Sequence, residues 1–208
     1  MVRFKNRHIL VEFLQPHLLD PSFAHPVSLP AVDPLDELDD FDDEDVLPRI
    51  PEIPFLLPLP SVDGSESRLK LGDEGGGSVY RAVRGVIQEV YGDEGWGRMA
   101  SSFKVIYHSP LTTLTILRIA RPHYRLLWSA ITLLTTLNGQ QVIPRVIVVS
   151  GTIKKLQNAA IAYHRNVTAG VLAVALDSKA SRSEKEDETK RLDKVWEGER
   201  AQIAALED

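Results

Sequence analysis

Ten of the thirteen prolines in this 208-residue chain lie between residues 15 and 72. Proline fixes its own φ angle and lacks a backbone N–H, so a segment this rich in proline propagates neither a helix nor a strand ladder. The same segment has three basic and thirteen acidic residues, a net charge of −10, and repels itself. We therefore expect a long acidic, disordered insertion at residues 15–72, and a single domain built from residues 1–14 and 73–170.

The folded part carries charge of the opposite sign. The whole chain has a net charge of −5, but residues 73–170 have a net charge of +6. From Gly95 to Leu176 the chain has nine basic residues and no Asp or Glu. Positive charge concentrated on a folded domain is typical of proteins that bind a polyanion. We interpret that polyanion as RNA.

The composition excludes several classes of protein. The chain has no cysteine, so it can have no disulfide framework, thiol nucleophile or cysteine-based zinc site, and a reducing compartment fits it best. Its hydrophobic content of 43% suits one core. No apolar segment is long enough to span a bilayer, and the basic residues after Met1 are not followed by the apolar run of a signal peptide. We expect no membrane partner.

Hydrophobic periodicity predicts the secondary structure. Alternation over residues 9–13 indicates a first strand, and apolar residues at helical spacing over residues 79–90 indicate a helix that ends at Gly92. Two segments rich in β-branched residues, 99–107 and 112–120, flank a turn and predict an antiparallel hairpin.

A second helix and a fourth strand complete the pattern. Pro122 is typical of a helix start, the pair Asn138-Gly139 indicates its end, and residues 142–149 predict a strand. The order βαββαβ is that of an α+β sandwich of the ferredoxin-like or RRM-like type, with an antiparallel four-stranded sheet and two helices on one face. We expect the other face to be covered by a protein partner or by a third helix that begins after Gly151.

The C-terminal segment, residues 171–208, alternates in charge and has few large apolar residues. Such a pattern is typical of a solvated helix or a loose tail. The fold class predicted for the whole chain is therefore a ferredoxin-like sandwich with added C-terminal helices.

Three sequence blocks resemble a known family. They are Met-Val-Arg-Phe-Lys-Asn-Arg-His at residues 1–8, Arg-Pro-His-Tyr-Arg-Leu-Leu-Trp-Ser-Ala at 121–130, and Val-Ser-Gly-Thr-Ile at 149–153. In this order they resemble the Pop-type small protein subunit shared by ribonuclease P and ribonuclease MRP. The chain departs from that pattern at Ser150, where relatives often have Gly, and in the acidic insertion.

The resemblance implies a non-catalytic subunit that supports a catalytic RNA. The implied partners are the RNAs of ribonuclease P and ribonuclease MRP, a TIM-barrel-like protein subunit and other proteins of the same particles, with precursor tRNA near the assembled site. The RNA and its bound Mg²⁺ would cut precursor tRNA in one particle and precursor rRNA in the other, and the protein itself would bind no cofactor. The implied location is the nucleus and nucleolus.

Phosphates are the groups that basic residues neutralise when a protein binds structured RNA, so the candidate site residues are all Lys or Arg. We predict nine of them: Arg3, Lys5, Arg7, Arg118, Arg121, Arg125, Lys154, Lys155 and Arg165.

Each part of this set has a structural alternative. Arg3, Lys5 and Arg7 alternate onto one face of the first strand, but they could form a merely solvated start of the domain. Arg118, Arg121 and Arg125 flank the start of the second helix, where their stems could instead pack over aromatic rings. The turn at residues 150–152 could hold a phosphate at a helix N-terminus, but simple capping by Thr152 is the ordinary role of such a residue.

Other functions fit the sequence less well. A metal-dependent nuclease needs converging carboxylates or histidines, whereas the carboxylate-free stretch offers only His108, His123 and His164. A single-strand reader of the RRM type needs aromatic residues on its third strand, and residues 112–119 have none. The remaining rival is a protein–protein adaptor that never contacts RNA. The acidic insertion is either a tolerated surface insertion or an arm that competes with RNA or recruits a basic partner.

Overall fold

The fold is taken from a computed structural model, in which residues 5–14, 75–109, 112–177 and 182–206 are described. Arg3 and the insertion at residues 15–72 lie outside the described residues. The expectation of disorder in the insertion therefore stays a prediction.

The elements follow the predicted order βαββαβ, and two long helices come after it, in line with the predicted C-terminal helices. A short hairpin that was not predicted lies between the second helix and the last strand. The elements are β1 (Asn6–Leu14), α1 (Gly75–Met99), β2 (Lys104–His108), β3 (Thr115–Ala120), α2 (Tyr124–Leu133), β4 (Thr136–Leu137), β5 (Gln140–Gln141), β6 (Ile143–Ser150), α3 (Ile153–Asp177) and α4 (Arg182–Ala204).

Four of these strands form one sheet in the order β2-β3-β1-β6, with every neighbouring pair antiparallel. Strand β1 lies between β3 and β6, and its His8 is opposite Arg118 on one side and Ser150 on the other. The predicted ferredoxin-like α+β sandwich is confirmed.

One face of the sheet packs against α1 and α2. Alternate residues of β1 point to this face because side chains along a strand alternate between faces. Helix α1 contributes Val79, Val83 and Ile87, which recur every four residues and so lie on one stripe of the helix. The core on this side is closed by residues from all of these elements: Ile9, Val11, Phe13, Leu117, Ile119, Leu127 and Ile131.

The opposite face is covered by α3 and α4. Leu10 and Ile116 of the sheet pack with Leu156 and Tyr163 of α3 in a second buried cluster. Of the two coverings expected for this face, the third helix is therefore the one observed. The fourth helix, α4, completes the cover.

The expectation of a solvated C-terminal segment is wrong for one face of α4. Trp196 is 5% exposed and Ile203 is fully buried, and both belong to the second core cluster. Seven residues are two helical turns, so these two side chains lie on the same side of the helix. Two large apolar residues suffice because α3 and the sheet supply the rest of the core.

Two turn assignments also need correction. Asn138-Gly139 does not end α2, which stops at Leu133; the pair forms the turn of the β4–β5 hairpin, with φ angles of 53° and 79°. Two-residue hairpin turns of type I′ need positive φ at both positions, and Asn-Gly is the preferred pair. Gly92 interrupts α1 with a φ of 67°, but helical structure resumes and continues to Met99.

Two polar networks tie the C-terminal helices to the sheet. In the first, Tyr163 of α3 donates a hydrogen bond to Glu12 Oε2 at 2.7 Å, and Arg145 of β6 pairs with Glu12 and donates to Tyr163 Oη. Burial raises the pKa of Glu12, and the nearby Arg145 guanidinium opposes that rise.

The second network joins α3 to α4. His164 Nε2 lies 3.0 Å from Glu199 Oε2, and Thr112 Oγ1 donates to Glu199 Oε1 at 2.5 Å. Burial opposes ionisation of Glu199, but hydrogen bonds from His164, Ser109 and Thr112 lower its pKa overall. Gln157 Nε2 donates to the carbonyl oxygens of Ile203 and Leu206, which satisfies the C-terminal end of α4.

The packing of α4 predicts that Trp196→Ala destabilises the protein by about 3 kcal/mol, because a large buried side chain is lost and a cavity remains. Lys194→Ala, at an exposed position of the same helix, is the matched control and should change stability by less than about 0.5 kcal/mol. Urea unfolding of both variants measures the difference. Equal midpoints would show that α4 is a solvated tail.

Stability should fall as the pH drops from 6.5 to 4, in part because of His108. Burial lowers the pKa of this side chain to about 4, although the negative charge of Glu199 acts to raise it. His108 Nδ1 lies 2.7 Å from Thr115 Oγ1. A depressed pKa means that the folded state resists protonation. The contribution of neutral His108 to the free energy of unfolding is therefore complete above pH 6.5 and is lost as the pH falls toward 4.

We expect His108→Asn to remove about 2 kcal/mol of that pH dependence, since partial solvent exposure screens the group. The measurement is the free energy of unfolding of both proteins at a series of pH values. Parallel pH profiles for the two proteins would contradict the expectation.

Candidate nucleic-acid interface

The antiparallel register brings distant parts of the sequence to one end of the sheet. The start of β1 lies beside the ends of β3 and β6, and the Arg121 backbone N–H donates to the Lys5 carbonyl at 2.9 Å. The start of β2 reaches the same end, because Lys104 is opposite Arg118. Helices α2 and α3 begin there as well, directly after β3 and β6.

Eight basic residues share this end, and we call them the basic edge. They are Lys5, Arg7, Lys104, Arg118, Arg121, Arg125, Lys154 and Lys155. All eight are exposed or half-buried. Like charges held together repel one another, and a bound polyanion relieves that repulsion. The basic edge is therefore electrostatically suited to phosphate.

Arg7 crosses from β1 to the turn that follows β6. A Cβ atom added to Gly151 would lie 2.9 Å from Arg7 Nη1, so the guanidinium occupies the space beside this glycine. Two predicted sites, Arg7 and the turn at residues 150–152, thus meet in the folded protein.

The turn itself is arranged as a helix cap. Thr152 Oγ1 accepts a hydrogen bond from the Lys155 backbone N–H at 3.3 Å, and Ser150 Oγ accepts one from the Thr152 N–H at 3.3 Å. Capping by Thr152, the simpler of the two roles expected, is confirmed. Whether the same turn also holds a phosphate stays a prediction.

Arg125 shows the packing that was the alternative to RNA binding. Its Nε donates to Tyr124 Oη at 3.2 Å, and its Cζ lies 5.9 Å from the centre of the Tyr124 ring. The side chain is nevertheless exposed, so this contact orients the guanidinium at the surface.

Two predicted residues are not placed at the basic edge. Arg165 lies twelve residues into α3, about 18 Å from its start along the helix axis, beside the buried His164. Arg3 lies outside the described residues. Their RNA contacts stay predictions.

Sequence reasoning missed Lys104 as a site residue. Its cross-strand partner is Arg118, a contact that follows from the register of the β2–β3 hairpin. Arg145, another residue of the carboxylate-free stretch, is used structurally, because it is part of the network with Glu12 and Tyr163.

The histidines and acidic residues that the structure describes do not converge on one site. Among the described residues, no group of three or more His, Asp and Glu side chains is placed to hold a metal ion. His108 and His164 each contact a separate structural partner, Thr115 and Glu199. No helix in the part of the chain that the structure describes is long and apolar enough to cross a membrane.

The fold and its edge define an α+β sandwich with a concentrated basic surface and helices on both sheet faces. The family model of the Rpp14/Pop5 family matches residues 7–161, from the second residue of β1 into the first half of α3. The chain belongs to the Rpp14/Pop5 family.

Individual relatives agree with this assignment. The chain is 49% identical over 84 residues to ribonuclease P/MRP protein subunit POP5 of Schizosaccharomyces pombe, a match that covers 40% of this chain and 60% of that protein. It is 33% identical over 120 residues to the Danio rerio protein of the same name, covering 55% of this chain and 69% of that one.

The chain spans 48–60% of the length of the first three curated relatives that it matches. A chain in a cryo-EM structure of yeast ribonuclease MRP has 8% sequence identity and a TM-score of 0.38, with 74% of this chain and 79% of that chain covered.

Proposed function

We propose that this protein is a non-catalytic subunit of the ribonuclease P and ribonuclease MRP ribonucleoproteins, and that its basic edge binds their RNA. The observation that carries the proposal is the convergence of eight basic residues, from five elements of the fold and the residues that flank them, on one end of the sheet. Membership of the Rpp14/Pop5 family supports it.

The way in which RNA binds depends on which surfaces of the sheet the helices leave uncovered. Helices cover both faces of the sheet, and β3 has no aromatic side chain. Bases therefore cannot stack across the sheet as they do on RRM domains. RNA is expected to approach the end of the sheet, where Lys and Arg contact phosphates and no base sequence is read.

The mechanism is electrostatic scaffolding. By neutralising phosphates, the basic edge lets segments of the RNA approach one another closely, so that the RNA can hold Mg²⁺ and the substrate. The metal belongs to the RNA in this proposal, and the protein binds no cofactor itself. The particles would mature the 5′ ends of precursor tRNA and process precursor rRNA.

The proposal includes partners and location. A TIM-barrel-like protein subunit and the other proteins of the two particles would contact this chain, with precursor tRNA near the assembled site, in the nucleus and nucleolus. The names of the relatives as ribonuclease P/MRP subunits support membership of these particles, while the TIM-barrel-like partner and the location stay predictions.

A protein–protein adaptor without RNA contact is the alternative function. Its specific support is a groove of about 640 Å³ between α1 and the end of α2, where Val90 and Leu133 are 48% and 51% exposed. That groove can coexist with RNA binding, since it does not include any residue of the basic edge.

The proposal predicts that Lys5→Ala/Arg7→Ala weakens binding to the ribonuclease P RNA by roughly 10- to 100-fold, because two charge-assisted contacts are lost. The slope of log affinity against log salt concentration should fall by about two, since each lost phosphate contact releases one counterion fewer. Fluorescence anisotropy at several salt concentrations measures both quantities.

The matched control is Lys190→Ala/Lys194→Ala, which removes the same charge from exposed positions of α4. This variant should keep both the affinity and the salt slope of the unaltered protein. Equal RNA binding by the two double variants would overturn the basic edge as the RNA interface. Loss of protein association alone in the Lys5/Arg7 variant would favour an adaptor whose basic edge meets an acidic protein.

A further inference from the structure

Gly151 has no conformational need to be glycine. Its φ lies outside the left-handed region that favours glycine, in contrast to Gly92 and Gly139. The reason for a glycine at this position must therefore be space.

The space beside Gly151 is filled by Arg7. An added Cβ would be 2.9 Å from Arg7 Nη1 and 3.8 Å from Arg7 Cζ, and no atom of another described residue comes within 4 Å of it, the two chain neighbours of Gly151 aside. A separation of 2.9 Å is too short for such a contact, so one of the two groups must move. The guanidinium is the far end of a flexible side chain, whereas the Gly151 backbone is fixed between β6 and the cap of α3. Arg7 would be the group to move.

The strand register holds Arg7 against this turn. His8, the next residue, is opposite Ser150 in the β1–β6 pair, which places Arg7 beside the residues that follow β6. A cation next to the N-terminus of a helix is disfavoured by the helix dipole, and Lys154 and Lys155 in the first turn add to that cost. An anionic ligand that binds at this point relieves it.

We infer that Gly151 is a positioning residue for RNA binding: its missing side chain lets the Arg7 guanidinium lie across the β6–α3 turn and present its planar fork to a phosphate. This inference rests on the proposed function, because it assumes that Arg7 contacts RNA. The fork binds two phosphate oxygens only in a defined orientation, so a displaced guanidinium keeps its charge but loses the paired contact.

A double-mutant cycle tests the inference in the full-length protein. Gly151→Ala, Arg7→Ala and the combined variant are titrated against the ribonuclease P RNA at several salt concentrations. Gly151→Ala should weaken binding roughly 3- to 10-fold and lower the salt slope by at most one. In the Arg7→Ala background, the same glycine substitution should have no further effect on affinity, since the two changes act on one contact.

Gly85→Ala is the matched control. Gly85 lies in α1, and a Cβ at that position would meet nothing within 4 Å. This variant should bind RNA with unchanged affinity and salt slope. Weakened binding by Gly85→Ala would show that glycine substitutions act on RNA affinity without regard to place, and would overturn the inference.

The outcomes separate the inference from the function on which it rests. If Arg7→Ala binds RNA as tightly as the unaltered protein, Arg7 is no RNA contact and that part of the proposed function fails. If Arg7→Ala weakens binding and Gly151→Ala does not, or if Gly151→Ala weakens it equally in both backgrounds, the positioning role is wrong.

A stability measurement covers the case in which Gly151→Ala folds poorly. Removing the Arg7 side chain leaves room for the new Cβ, so the combined variant should regain the unfolding midpoint of Arg7→Ala. A midpoint that stays low in the combined variant would show that Arg7 is not what the glycine accommodates, and would overturn the inference.

Discussion

The antiparallel pairing of β1 with both β3 and β6 is the constraint on which the rest of the structure depends. Strand β1 is buried along most of its length, and its two neighbours lie more than 100 residues later in the sequence. Such long-range pairing is slow to form but leaves little freedom in register once both faces are covered. The same register that seats Ile9 and Leu10 in their two cores aligns Lys5 and Arg7 with the ends of β3 and β6.

Polar groups inside the second core reinforce that register. Glu12 is 1% exposed, and removing either Arg145 or Tyr163 would leave its carboxylate buried with fewer partners. Buried ion pairs of this kind add little net stability, because desolvation offsets the attraction between the charges. They penalise wrong arrangements instead, since a slipped strand would leave a charge unpaired. We regard the two polar networks as devices that fix how α3 and α4 dock on the sheet.

The sequence was sufficient to predict the fold class, the order of the first six main elements and most of the basic edge. Period-two and helical patterns identify elements well when one face is apolar, as in β1 and α1. The sequence was insufficient to predict the buried face of α4, because Trp196 and Ile203 are too sparse to stand out among charged residues. The Asn-Gly pair was ambiguous between a helix end and a hairpin turn, and the choice depends on where α2 meets the sheet. Lys104 could be found only from the strand register, which no single segment of sequence contains.

The insertion leaves the sheet at the pole opposite the basic edge, because it follows Leu14, the last residue of β1. The nine residues of β1 separate the two poles by about 30 Å, several times the distance over which physiological salt screens exposed charges. Evolution can thus lengthen, shorten or recharge the part of this segment next to Leu14 without altering the potential felt by an approaching nucleic acid. The domain is in that sense bipolar, with one pole free to vary and the other fixed by electrostatics.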